Sequence, residues 1–275
     1  MESANAEVIL TMSERPKVSL LKFEGINCDE ETAWMFEKAG ADTEIVLDTD
    51  LLSGEKDLKS TQIVAIAGGF SYGDDLGSGT VAGLLMDTRL GDAIREFQER
   101  GYMIGICNGF QILVKSGLLP LGTLGERAAT LDKNNSGQFK SDTVFVQAME
   151  PNKCVFLPGL GEYGPLEMQN SHAEGKFVTT PQSLEELERN GQVVFRYVDP
   201  ATGAATQEYP WNPNGSPNAI AGITDPSGRI LGLMPHTERR QTLLNHPNGR
   251  RFDEAFSPTG LVIATKMVSH ANEGL

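Results

Sequence analysis

The chain has 275 residues, 39% hydrophobic and 22% charged, enough apolar surface to offset the entropy of ordering and to exclude an intrinsically disordered protein. Its net charge of −14, from 23 Lys and Arg against 37 Asp and Glu, repels a phosphate backbone and argues against a nucleic-acid partner. No apolar run approaches the ~18 residues of a membrane span, and the acidic N-terminus does not read as a secretory signal, so no membrane association is expected.

Residues 1–15 are polar and aperiodic and read as a loose tail, with residues 16–275 forming one domain because no linker-like boundary interrupts them. Val18 to Phe23 reads as a buried strand. Asp29 then caps a helix, with Glu30 and Glu31 in the first turn where the dipole favours anions, and that helix ends near Gly40. Glu44 to Leu47 and Ile63 to Ala67 are further strands, the second followed by a glycine-rich loop from Gly68 to Gly79. Thr80 to Arg100 reads as one helix, Tyr102 to Ile106 as a strand running straight into Cys107, and Asn108 to Ser116 as another helix. Trp34, Met35, Phe36, Met86 and Phe97 are assigned to the core rather than to a cofactor. The second half has shorter strands at 144–147, 193–197, 220–223 and 230–234, one helix over 182–189, and polar loops at 122–142 and 199–218. Trp211, in the latter loop, reads either as a docking anchor for a partner or as a pin onto its own domain. Alternation of strand and helix predicts an α/β fold with a mostly parallel central sheet covered on both faces, and ligands beyond the carboxyl ends of its strands.

The strongest local signal is Gly105-Ile106-Cys107-Asn108-Gly109 at a strand-to-helix junction, the Gly-x-nucleophile-x-Gly pattern of a nucleophile elbow with cysteine in place of serine. A helix start beside the sulfur favours the thiolate, the reactive form. Three cysteines, at 28, 107 and 154, cannot make a full disulfide framework and lack the Cys-x-x-Cys spacing of a zinc site, so a reducing cytoplasm and no metal are expected. A nucleophilic thiol needs a base and a group that orients it. Two of the four histidines stand in a His-x-Glu pattern, His172-Ala173-Glu174 and His236-Thr237-Glu238; in extended chain, residues i and i+2 share a side, so each pair is a candidate. His236 is favoured because it ends an apolar strand, whereas His172 follows a more polar run. His246 and His270 read as exposed. The glycine-rich loop offers backbone amides to a developing oxyanion, joined by the N–H of Asn108. It is not a phosphate loop: no Lys-Ser/Thr follows Gly79, and Asp74 and Asp75 repel phosphate.

Together with the elbow, the Gly68 to Asp74 loop, Gly25-Ile26-Asn27-Cys28-Asp29, Ser171-His172-Ala173-Glu174-Gly175, Asn212 to Asn218 and Pro235-His236-Thr237-Glu238-Arg239 resemble class I glutamine amidotransferases, in the form found in the glutaminase components of phosphoribosylformylglycinamidine synthases. The resemblance implies a flavodoxin-like three-layer α/β/α sandwich. It implies hydrolysis of L-glutamine by a Cys107–His236–Glu238 triad through a thioester, with oxyanion donors at Gly69, Phe70 and Asn108, and with Gln111, His172 and Glu174 around the substrate. It implies a synthetase subunit as partner, and with it a small accessory subunit. No cofactor is expected in this chain, ATP and Mg²⁺ being used by the synthetase. Two rivals on the same residues are a γ-glutamyl hydrolase or glutaminase of another pathway, and a redox sensor built on Cys107 that would have no use for His236 and Glu238.

Overall fold

A computed structural model describes residues 15–247 and 258–274, so the expected loose tail lies, save for Arg15, outside the described residues. The elements are, in order, β1 (Lys17–Lys22), α1 (Asp29–Lys38), β2 (Asp42–Leu47), α2 (Asp48–Ser53), β3 (Ile63–Ile66), α3 (Thr80–Thr88), α4 (Gly91–Gln98), β4 (Tyr102–Ile106), α5 (Asn108–Ser116), α6 (Leu118–Leu121), β5 (Ala129–Lys133), β6 (Lys140–Ala148), β7 (Leu166–His172), β8 (Glu174–Thr179), α7 (Pro181–Arg189), β9 (Val193–Tyr197), β10 (Ile220–Thr224), β11 (Ile230–Leu233) and α8 (Thr259–Glu273).

The main sheet runs β2-β1-β3-β4-β11-β10-β9-β6-β7; β5 and β8 pair separately. Its first five strands are parallel, and the remainder continues antiparallel from β11 through β10, β9 and β6 to β7. In the parallel block β3 and β4 are buried nearly throughout, the continuous apolar reading of strands covered on both faces. Strand order reverses between β1 and β3: the β1–α1–β2 crossover moves one way along the sheet and the β3–α3–α4–β4 crossover the other. Right-handed crossovers in opposite directions put their helices on opposite faces, so α1 packs with α8 while α3 packs with α5. The three-layer α/β/α sandwich follows. Among the described residues no helix is long and apolar enough to cross a membrane.

The structure departs from the sequence reading at several places. The helix expected over 80–100 is two, because the chain turns at Arg89 and Leu90 before Gly91 opens α4; Leu90 is buried at the turn and Thr88 bonds back to the Leu84 carbonyl. Asp29 is the first residue of α1 rather than its cap; that position is Cys28. The polar stretch 122–142 holds β5 and the start of β6, and a second helix, α8, joins α7 in the second half. Trp34 lies on the outer side of α1, 41% exposed, with the Lys38 ammonium over its ring. His246 is buried on the Glu167 carboxylate, and His270 is half-buried, edge-on to Tyr102. Trp211 packs edge-on against Phe145, and the residues after it are knotted down: Asn214 Nδ2 donates to Tyr197 Oη, and Ser216 Oγ accepts from the Phe177 amide. The pin reading is the one this geometry favours.

Candidate active site

Four segments meet at the carboxyl ends of four adjacent parallel strands: 23–28 after β1, 67–79 after β3, 107 after β4 and 234–239 after β11. This is where a doubly wound sheet opens a crevice, because the strand order reverses there.

Cys107 sits at the tip of the β4–α5 elbow with φ 53° and ψ −106°, a conformation that costs a non-glycine residue about 1–3 kcal/mol. The flanking glycines are required by contact: a Cβ on Gly109 would lie 1.9 Å from the Ile66 carbonyl oxygen, and one on Gly105 would lie 2.6 Å from the Gly109 backbone. The elbow is held from below, where the Cys107 N–H donates to Leu233 O at 2.9 Å. The thiol faces the Ser171 carbonyl at 3.7 Å.

The two His-x-Glu pairs separate cleanly. His236 Nδ1 and Glu238 Oε1 are joined by a short hydrogen bond, both side chains buried, while His236 N–H donates to Gln169 O on β7 at 2.8 Å. Nε2 is left buried without a protein partner. Burial alone would depress this imidazole, but the Glu238 carboxylate and the Cys107 and Cys28 thiols hold its pKa well above the usual histidine value.

His172 and Glu174 do not form the alternative pair. The chain leaves β7 and enters β8 between them, so the i, i+2 rule of a continuous strand fails. His172 Nδ1 pairs with Asn134 Oδ1 at 3.0 Å, and Glu174 Oε2 instead accepts the Ser78 amide at 2.9 Å. Burial, reinforced by His236, lowers the His172 pKa to about 3, so the ring is neutral at neutral pH.

Gln111 is also committed: Nε2 donates to Glu174 O, and Oε1 accepts from Asn108 Nδ2 at 2.8 Å. It ties α5 to β8. Of the expected oxyanion donors, Phe70 departs from expectation, since its N–H donates to Gly25 O at 3.0 Å and is spent there in this conformation. Gly69, at φ 152°, is packed against segment 25–27; a Cβ there would be 2.7 Å from Ile26 Cα. The residue that the sequence analysis left without a role is Cys28. The elbow pattern that identified Cys107 is absent there, and only the fold brings β1's end beside His236.

The fold matches a known class. The model of the CobB/CobQ-like glutamine amidotransferase domain matches residues 15–263, and the chain belongs to that family. It is 41% identical to subunit PurQ of phosphoribosylformylglycinamidine synthase from Methanococcus maripaludis, over 90% of this chain and 91% of that one. The PurQ of Dehalococcoides mccartyi is 40% identical, over 94% and 98% of the two chains. A solved structure of PurLQS from Thermotoga maritima superposes with a TM-score of 0.67 at 26% identity, covering 94% of this chain and 98% of that one. Within the amidotransferases, the chain thus belongs with the PurQ subunits.

Proposed function

We propose that this chain is the glutaminase subunit of a phosphoribosylformylglycinamidine synthase and that Cys107, His236 and Glu238 carry its chemistry. The observation behind the residue assignment is the buried His236–Glu238 pair beside a thiol held in a strained elbow. The Cys107 thiolate adds to the side-chain carboxamide carbon of L-glutamine, and the carbonyl electrons move to oxygen. As the tetrahedral oxyanion collapses, the C–N bond breaks and the His236 imidazolium gives its proton to the departing ammonia, leaving a thioester. Neutral His236 then takes a proton from water as it attacks the thioester carbon, and glutamate leaves with the sulfur returned to its starting state. Glu238 on Nδ1 fixes the tautomer that presents Nε2 to both steps.

Asn108 N–H, at the start of α5, is one oxyanion donor and Gly69 the second; losing one such donor typically costs roughly 3 kcal/mol, about a hundredfold in rate. His172 and Glu174 border the glutamine pocket on the β7–β8 side. None of these steps calls on a metal or cofactor, and ATP and Mg²⁺ belong to the synthetase that consumes the ammonia. Similarity to the PurLQS structure supports a synthetase and a small accessory subunit as partners. A chain with these partners works in purine biosynthesis, in the cytoplasm. A thiol redox sensor has no need of the His236–Glu238 pair, so that arrangement speaks against it. Ammonia release from glutamine, measured with and without a synthetase subunit, tests the reading. Failure to release ammonia in the assembled complex would overturn it.

A further inference from the structure

The Gly25–Asp29 segment is left without a role by the triad, yet it is among the most firmly placed parts of the site. The Asn27 and Cys28 amides both donate to Gly68 O, at 3.2 and 3.1 Å. The Cys28 carbonyl accepts the Thr32 amide at 3.1 Å and its hydroxyl at 2.6 Å. What this backbone holds in place is a buried sulfur against the catalytic pair: Cys28 Sγ, a ring nitrogen of His236 and a carboxylate oxygen of Glu238 all lie within 4.8 Å of one another. Gly68 is the opening through which they meet. A Cβ there would stand 2.7 Å from His236 Cε1 and 3.4 Å from both His236 Nδ1 and Cys28 Sγ.

Cys28 is oriented as well as placed. Its S–H donates to Asn27 Oδ1 at 3.4 Å, and its sulfur accepts from Arg239 Nη2 at 3.3 Å. Arg239 Nε in turn lies 3.8 Å from Glu238 Oε1 and 3.9 Å from Glu31 Oε1. The guanidinium therefore spans the sulfur and the carboxylate that holds Nδ1. Cys28 is not a second nucleophile. Its sulfur is held by Asn27 and Arg239, and His236 Nδ1 is already given to Glu238.

We propose that Cys28, backed by Arg239, is a positioning residue of the glutaminase reaction: its sulfur fills the space beside the Cε1–Nδ1 edge of His236 and, with the guanidinium, keeps the Glu238 carboxylate aimed at Nδ1, so that Nε2 stays turned towards Cys107. The proposal rests on the triad reading given above. A bulky, polarizable, weakly hydrogen-bonding sulfur suits the task, since it packs against an imidazole edge without competing strongly for its protons. Truncation would open a void between the ring and Arg239, where water competes for Glu238 and the imidazole gains freedom to turn.

The test compares Cys28→Ala, Cys28→Ser and Arg239→Gln with the parent chain in the assembled complex. It reads kcat and KM for glutamine, thermal unfolding, and the pH dependence of Cys107 inactivation by iodoacetamide. A misplacement of this kind is expected to lower kcat on the order of tenfold to a hundredfold in Cys28→Ala. KM should stay within about twofold, the loss being made in the chemical step rather than in binding. Inactivation should slow across the pH range, because a ring turned away from Cys107 no longer assists its attack. Cys28→Ser, which still accepts from Arg239, should recover part of the loss, and Arg239→Gln should show the same kcat-specific defect should Cys28→Ala fail to fold. Parental kcat and parental inactivation profiles in Cys28→Ser and Arg239→Gln would overturn the proposal, as would a loss confined to KM or to unfolding temperature. Cys107→Ala separates the two layers: an inactive Cys107 variant beside a fully active Cys28 variant refutes the positioning role alone, whereas an active Cys107 variant refutes the triad.

Discussion

Asn108 Oδ1 accepts the backbone N–H of Ser71 at 3.0 Å, tying the first turn of α5 to the glycine-rich loop 37 residues earlier. The same side chain's Nδ2 donates to Asp74 Oδ1 at 3.2 Å and to Gln111 Oε1 at 2.8 Å. The residue after Cys107 is thus a clasp on the loop that would face the oxyanion. It holds the loop through a stretch where Tyr72 and Asp74 both adopt positive φ, conformations that persist only where the surroundings over-determine them.

Removing the clasp should loosen the loop before it disturbs the core. Three hydrogen bonds of about 0.5–1.5 kcal/mol each are lost in Asn108→Ala, so a destabilisation of roughly 2–3 kcal/mol is expected. Glutaminase kcat should fall at least tenfold. Hydrogen exchange over residues 69–75 should quicken in the variant while β4 stays protected; unchanged exchange there would show that the loop does not depend on Asn108.

Cys107→Ala should abolish glutamine-dependent synthesis while the assembled complex continues to use free ammonia. The elbow's assigned task is to present the thiol, so only nitrogen supply should be cut. Substantial glutamine turnover by the variant would remove Cys107 from the mechanism.

His172 and His236, both buried, make opposite pH predictions. His172 falls from 6.5 to about 3 on folding, so the unfolded chain takes up a proton that the native one refuses; native stability is unaffected above about pH 6.5 and declines as pH drops from there toward 3. His172→Gln should flatten that decline in acid unfolding curves. His236, raised on folding, contributes stability that is fully present below 6.5 and is lost as pH rises through its native pKa. In kinetics, His236→Ala should drop turnover by several orders of magnitude, whereas His172→Gln should alter glutamine affinity more than the chemical step. Single-turnover rates with the reverse pattern would move the base to His172.

Much of this site was readable from local pattern. The Gly105-x-Cys107-x-Gly109 spacing demands a tight elbow, and the close approaches of both glycines are that demand realised in space. His236 could be chosen over His172 because an apolar strand ends at it. What was not readable came from contacts between distant segments. Nothing in the sequence around Phe70 reveals that its amide is taken by Gly25, and nothing around Cys28 reveals His236, more than 200 residues away. The i, i+2 argument for Glu174 failed because it assumes one continuous strand, where a bend at Ala173 carries the chain from β7 in the main sheet to β8 in the two-stranded one.

The Gly25–Phe70 bond bears on coupling to the synthetase. Phe70 N–H is directed at Gly25 O, Tyr72 N–H at Glu24 O and Ser71 N–H at Asn108, so the loop amides beyond Gly69 are turned into the protein's own acceptors. A partner that docks near the exposed Phe70 and Leu76 side chains has a handle on this loop and can favour a second orientation in which an amide turns to the oxyanion. A bias of ~2 kcal/mol changes the competent fraction about thirtyfold. The isolated chain is therefore expected to hydrolyse glutamine slowly and the assembled complex at least tenfold faster, with the gain in kcat rather than KM. Gly25→Ala is a sharp probe, since its Cβ would sit 2.2 Å from Phe70 O and must displace the loop; it should change the turnover of the free chain more than that of the complex. A free chain that turns over as fast as the complex would rule out activation by the partner, whatever the loop does.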